Sequence, residues 1–321
     1  MKTVLVTGIG GVVGQGILRN IRSMSDDYRI IGTNTTGISG GNYLCDKVVE
    51  VPFAYEENYI PFMIQLCMNE HVSLVLPSTD YEVYYLSMNL EKFQSKIAVS
   101  GPEVTKICLD KYSNYKSFYS NNLTFAKSFL PSDYDNSFPE TVVKPREGRG
   151  SRNVQLNPTN ARAFSDEYVV QEYLRGPEIT TTFYASREGK LVGLITFLRE
   201  LEAGNTVKAE VTFEFDDALG KIINGMLKFF PFRGSINLQS IVTKKGIIPF
   251  EINCRISGTN SFRSQFGFND VAFTVEEYLF NSELKAPVVK KGSVIRTMLD
   301  IVYPDIRLND IKNRDDKFYI H

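Results

Sequence analysis

Residues 235–258 read SINLQSIVTKKGIIPFEINCRISG, two alternating runs joined by Lys245-Gly246. Side chains on a strand point to opposite faces in turn. In the first run Ile236, Leu238 and Val242 fall on one face, and Asn237 and Gln239 on the other. In the second, Ile248, Phe250, Ile252 and Cys254 share the apolar face, opposite Glu251, Asn253 and Arg255. A tight Lys-Gly turn lets the runs pair as a hairpin, which brings both polar rows onto one surface. A carboxylate, amide oxygens and a guanidinium in one place suit Mg²⁺ with phosphate. The hard cation takes oxygen ligands, and the guanidinium offers a fixed fork of donors. The same residue types also decorate any solvated hairpin face, so neighbouring segments have to decide.

Working backwards, TVVKPREGRGSRNV (141–154) sets Lys144 at a strand end before a basic, glycine-containing loop. Gly148 and Gly150 would let backbone N–H groups approach a phosphate that Lys144 reaches. No Gly-Lys-Ser/Thr follows, so this is not a Walker motif. Then VVQEYLRGPEIT (169–180) reads as a strand, a Gly-Pro turn and a second strand. Residues 197–210 read as a hairpin that gathers Arg199, Thr206 and Lys208. Arg263 is a candidate for a substrate carboxylate on charge alone.

The chain has 321 residues, 43% hydrophobic and 23% charged, with a formal net charge of -1. That balance suits two or three packed units and gives no global field for nucleic acid or an anionic membrane. Four scattered cysteines show neither metal-ligand spacing nor a disulfide framework, which points to reduced thiols in the cytoplasm. No signal-peptide layout or long apolar span is evident. With two histidines in the whole chain, histidine-based catalysis has almost no material.

Strands near 2–7, 29–34, 48–51 and 72–78 alternate with helices near 15–24 and 57–70, the pattern of a parallel α/β unit. One helix over 104–121 and β-rich sequence follow. The expected organisation is α/β plus α+β, divided at 1–103, 104–170 and 171–321.

The pattern Asn237-x-Gln239, then Glu251-x-Asn253-x-Arg255-x-Ser257, resembles the metal-binding strands of the ATP-grasp superfamily, most closely its carbamoyl-phosphate-synthetase-like ligases. The resemblance implies a Rossmann-like pre-ATP-grasp domain, which PSTDYE (77–82) also resembles, followed by an ATP-grasp fold of two α+β subdomains. It implies Gln239, Glu251 and Asn253 as ligands of Mg²⁺ or Mn²⁺, and Arg255, Lys144 and Arg199 as the groups acting on phosphate. For ATP it implies Lys111, Lys144, Gly148, Gly150 and Ser151, then an adenine hinge at Gln171, Glu172 and Leu174, and Glu178 on the ribose. The activity implied is ATP-dependent joining of a small-molecule carboxylate to an amine through an acylphosphate, releasing ADP. A homodimer is a further expectation. A nucleotide sensor that keeps the fold without the catalysis is a variant of the same reading.

A competing reading starts at Thr7-Gly8-x-x-Gly11-x-x-Gly14, which resembles the turn of short-chain dehydrogenases; Tyr112-x-x-x-Lys116 offers a catalytic pair. The second strand ends Gly32-Thr33-Asn34, without the acid that a dinucleotide ribose needs.

Overall fold

A computed structural model describes all residues except 26, 149–152 and 203. The first unit runs β1 (Lys2–Val6), α1 (Val12–Met24), β2 (Tyr28–Asn34), β3 (Lys47–Glu50), α2 (Tyr59–Asn69), β4 (Val72–Leu76), α3 (Asp80–Ser87) and β5 (Lys96–Ile97). These strands form a parallel sheet in the order β3-β2-β1-β4-β5. The Val, Ile and Leu runs of the inner strands β1, β2 and β4 are buried on both faces, as a parallel sheet between helices requires. Leu5 and Val75 pack towards Met63 and Val83, while Val4 and Val6 pack towards Ile17 and Ile21. The glycine turn after β1 is used for packing. A Cβ on Gly14 would sit 2.5 Å from the Gly8 carbonyl oxygen. The Thr7 hydroxyl donates to Glu82 at 2.6 Å, within the capping box that starts α3.

The helix expected over 104–121 is two helices, α4 (Pro102–Leu109) and α5 (Lys111–Ser120). Asp110 breaks it: its backbone is extended, and its carboxylate accepts from the N–H groups of Tyr112 and Ser113 as an N-cap. Next come β6 (Ser128–Phe129), β7 (Thr141–Pro145), β8 (Gln155–Leu156) and β9 (Tyr168–Glu172), in a four-stranded sheet ordered β6-β9-β7-β8. Strand β9 crosses the expected boundary at 170/171, because Gln171 pairs with both Ser128 and Val142; the change of sheet falls after Glu172.

The second sheet contains β10 (Glu178–Ala185), β11 (Leu191–Glu202), β12 (Asn205–Thr212), β13 (Gly234–Thr243), β14 (Gly246–Asn253) and β15 (Ser293–Ile295). Their order is β14-β13-β10-β11-β12-β15. One face, carrying Phe183, Ile236, Leu238 and Ile252, packs on α6 (Asp216–Leu227) through Leu219, Ile223 and Met226. After the short α7 (Asn260–Arg263), α8 (Asp270–Phe280) returns to the first unit. There Val271 and Val275 join Val4, Val6 and Ile17 in one core, so the two units share an apolar layer. Among the described residues no helix is long and apolar enough to cross a membrane.

Candidate active site

The polar row lies as its strand phase requires. Asn237 pairs with Asn253 and Gln239 with Glu251 across β13 and β14, while Ile236, Leu238, Ile252 and Cys254 are buried on the other face. One expectation fails. The register shifts after Gln239, so that Ser240 faces Pro249 and Phe250 is the extra residue of a bulge. A bulge re-aims side chains, and Phe250 leaves the apolar face to line the cavity beside Glu251. That cavity, about 1310 Å³, lies between the two sheets and the first unit.

Lys144, from the end of β7, is 6% exposed, and its ammonium lies 5.2 Å from the centre of the Phe250 ring. It has no hydrogen bond or ion pair among the described residues. Burial lowers its pKa to about 8; Glu251 and Glu178 pull it up, and Lys111 pushes it down. Burial also opposes the charge on Glu251. Lys111, Lys144, a hydrogen bond from Asn253 at 3.3 Å and Arg255 outweigh that, and its pKa lies below the ordinary value. The corner is therefore a carboxylate embedded in cations, one of which is buried without a partner.

The other expected residues divide. Lys111 reaches the corner, and its ammonium donates to the Gly148 carbonyl at 3.1 Å. Gly148 has φ +131°, a conformation that favours glycine. Gly150 and Ser151 lie outside the described residues. The Gln171 side chain is buried and donates to the Ser128 hydroxyl at 3.0 Å, joining β9 to β6. Glu172 accepts from the Lys127 N–H at 2.7 Å. Leu174 lines the cavity in the segment between the two sheets. Arg199 bridges: it donates to Glu178 at 2.5 Å and to the Gln239 carbonyl oxygen at 2.6 Å. Glu178, the expected ribose acid, and Gln239, an expected metal ligand, are thus tied together by the residue expected to act on phosphate.

Two candidates are corrected. Arg263 is 0% exposed and saturated by Asp270, Ser257 and Thr259, so its charge is internal to the fold. A register shift leaves Val207 without a partner across from β11, so Lys208 faces away from Arg199 and Thr206 and pairs with Glu200 on the outer surface, at 2.9 Å.

Two residues enter that sequence reading passed over. Asp80, at the start of α3, holds Arg255 with both carboxylate oxygens at 2.9 Å. The signal was present in Thr79-x-x-Glu82, a capping box that fixes where α3 begins and so places Asp80. Arg296, following β15, lines the cavity with no motif around it.

Known families agree with this architecture. Residues 4–99 match the "PylC-like, N-terminal domain" model, and residues 164–300 match "ATP-grasp in the biosynthetic pathway with Ter operon". The solved N5-carboxyaminoimidazole synthetase of Staphylococcus aureus, complexed with ADP, is 13% identical over 92% of this chain and 82% of its own, with TM-score 0.77. The L-amino acid ligase of Bacillus licheniformis is 12% identical over 90% of this chain and 75% of its own, TM-score 0.70. The biotin carboxylase domain of Hydrogenobacter thermophilus 2-oxoglutarate carboxylase, in complex with MgADP, is 12% identical over 88% and 70%, TM-score 0.69. No curated protein sequence matches. The family models and the fold together give this chain an ATP-grasp domain, matched over residues 164–300. Within that superfamily the chain carries a PylC-like N-terminal domain joined to the ATP-grasp domain. The dinucleotide reading gains nothing. Its threonine and glycines are spent on packing, and Tyr112, on α5, lies against Arg146, 5.9 Å from ring centre to guanidinium carbon.

Proposed function

We propose that this protein is an ATP-dependent ligase that activates a small-molecule carboxylate as an acylphosphate and joins it to an amine, releasing ADP and phosphate. The observation that carries the reading is Lys144, a buried ammonium with no anionic partner among the described residues, facing the Glu251–Asn253 strand. A buried charge without compensation costs several kcal/mol, and a nucleotide phosphate is the anion this cavity has room for.

The donor set fits a divalent cation bound together with that phosphate. Glu251 supplies one carboxylate, and Asn253 turns its amide N–H₂ toward Glu251, which leaves its carbonyl oxygen free to ligate. Gln239, whose side-chain oxygen accepts from Arg199, would be a third oxygen ligand. Among the described residues no cluster of three His, Cys, Asp or Glu side chains could hold a metal by itself. Nucleotide phosphate oxygens would supply further ligands, as Mg²⁺ prefers. When bound, the metal neutralises phosphate charge.

The chain's own groups then position and stabilise. Lys144 and Arg255 offset charge on the transferring phosphoryl group, and Lys111 fixes the start of the glycine loop. Arg199, paired with Glu178 and Gln239, links ribose recognition to the metal position. Such a reaction needs alignment more than a protein acid or base, which accords with a site built without histidine. Four free, buried cysteines support a reducing compartment. A homodimer is part of the proposal, and light scattering tests it.

A coupled ADP-release screen of carboxylates crossed with amines tests the activity. The expected outcome is ADP release that depends on both, and Glu251→Ala should lower it by about 10²–10³ or more with the fold intact. A Glu251→Ala variant with normal turnover would overturn the assignment.

A further inference from the structure

Among the described residues four arginines line the cavity, and three of them are neutralised from within the protein. Arg146 is paired with Asp110, Arg199 with Glu178 and Arg255 with Asp80. Arg296 is the exception, with no ion pair among the described residues. It is held all the same. Its backbone N–H donates to the Val207 carbonyl at 2.8 Å, and one Nη donates to the Gly258 carbonyl at 2.6 Å. Its guanidinium lies 5.3 Å from the centre of the Phe262 ring, and that ring is wedged edge-on against Phe197, also at 5.3 Å. A guanidinium carries five N–H donors, so an aromatic platform and one carbonyl fix its position and leave donors to spare. Burial first, and then the charge of a second cation, Arg19, lower its pKa. Both effects disfavour a lone cation here and favour an anion beside it.

The geometry points to Arg296 as the recognition residue for a carboxylate of the acceptor, which rests on the ligase reading above. Gly258, its anchor, is three residues beyond Arg255, so the two backbones are at most roughly 10 Å apart. A carboxylate on Arg296 would therefore lie beside the phosphate end of the cavity, away from the Gln171–Leu174 segment. The fork of donors suits a planar carboxylate in bidentate contact, and a point charge such as lysine would reproduce only part of that. The acceptor class is accordingly an acid whose carboxylate, either the one activated or a second one, docks on Arg296.

The test uses the full chain saturated with ADP and Mg²⁺. Wild type, Arg296→Met and Arg296→Lys are each titrated with acetate, succinate, L-glutamate and inorganic phosphate by ligand-observed NMR. ADP affinity is measured on the same samples. At least one carboxylate should bind wild type and lose about 10- to 100-fold in Arg296→Met, with partial recovery in Arg296→Lys. ADP affinity should be the same in all three, a pattern that mere loosening of the Gly258 turn would not give. Equal carboxylate binding in wild type and Arg296→Met, no carboxylate binding to wild type, or discrimination confined to inorganic phosphate would each overturn the assignment. ADP binding with any of those results leaves the ligase reading standing, whereas failure of wild type to bind ADP removes both.

Discussion

Two buried cations flank the strand pair, and they are compensated in opposite ways. Arg263 is fully buried and delivers its N–H groups to Asp270, Ser257 and Thr259, so nothing on it is left to offer. Lys144 is nearly as buried and has a phenylalanine ring for company, with Glu251 and Glu178 acting only from beyond ion-pair distance. A satisfied charge belongs to the architecture. An unsatisfied one marks where a ligand supplies the missing partner. By charge and position in the sequence the two look alike; by partner they are different objects.

The comparison can be broken most severely at Asp270. Asp270→Ala leaves Arg263 buried without compensation and should lower stability by about 3–5 kcal/mol. Denaturant unfolding measures this, and a loss below about 1 kcal/mol would show that Arg263 is not the structural member of the pair. The next effect is in pH. Burial places the Lys144 pKa at about 8, below its ordinary 10.5. Between those values the unfolded chain binds more protons than the folded one, so stability should rise with pH across that window. Phosphate binding needs the charged form, so ADP affinity should fall by up to tenfold per pH unit above about 8, with proton uptake on binding. Calorimetry in buffers of differing ionisation enthalpy reads both, and Lys144→Met should abolish both dependences. The smallest effect is at Lys208. Its pair with Glu200 is exposed, so Lys208→Ala should cost no more than about 1 kcal/mol and leave ADP release unchanged. A large loss of ADP release in that variant would return Lys208 to the cleft.

Strand period and order made much of the site legible. Gln239, Glu251, Asn253 and Arg255 could be placed on one face because alternation and a Lys-Gly turn define a hairpin locally. Lys144 followed from its position at a strand end before glycines. What alternation does not contain is the bulge, which turned Phe250 from core to cavity and gave Lys144 its ring. Helices α6 and α8 were missed for a related reason. The first carries Gly220 and Gly225, and the second is rich in β-branched and aromatic residues, so tertiary burial overrides a weak local preference. Pairings between distant residues were the least legible. That Arg263 meets Asp270, Arg255 meets Asp80 and Arg296 meets no acid among the described residues depends on how the two units pack, and that arrangement is written in no short window of sequence.

The most direct test of the account is Mg²⁺-ADP binding by calorimetry to wild type and Lys144→Met, with unfolding followed on the same samples. Removing an uncompensated buried charge should leave the stability of the unliganded protein unchanged or raised, while ADP affinity falls by about 10²-fold or more. A Lys144→Met protein that unfolds more readily yet binds ADP as wild type does would contradict the account, because Lys144 would then be a structural residue like Arg263.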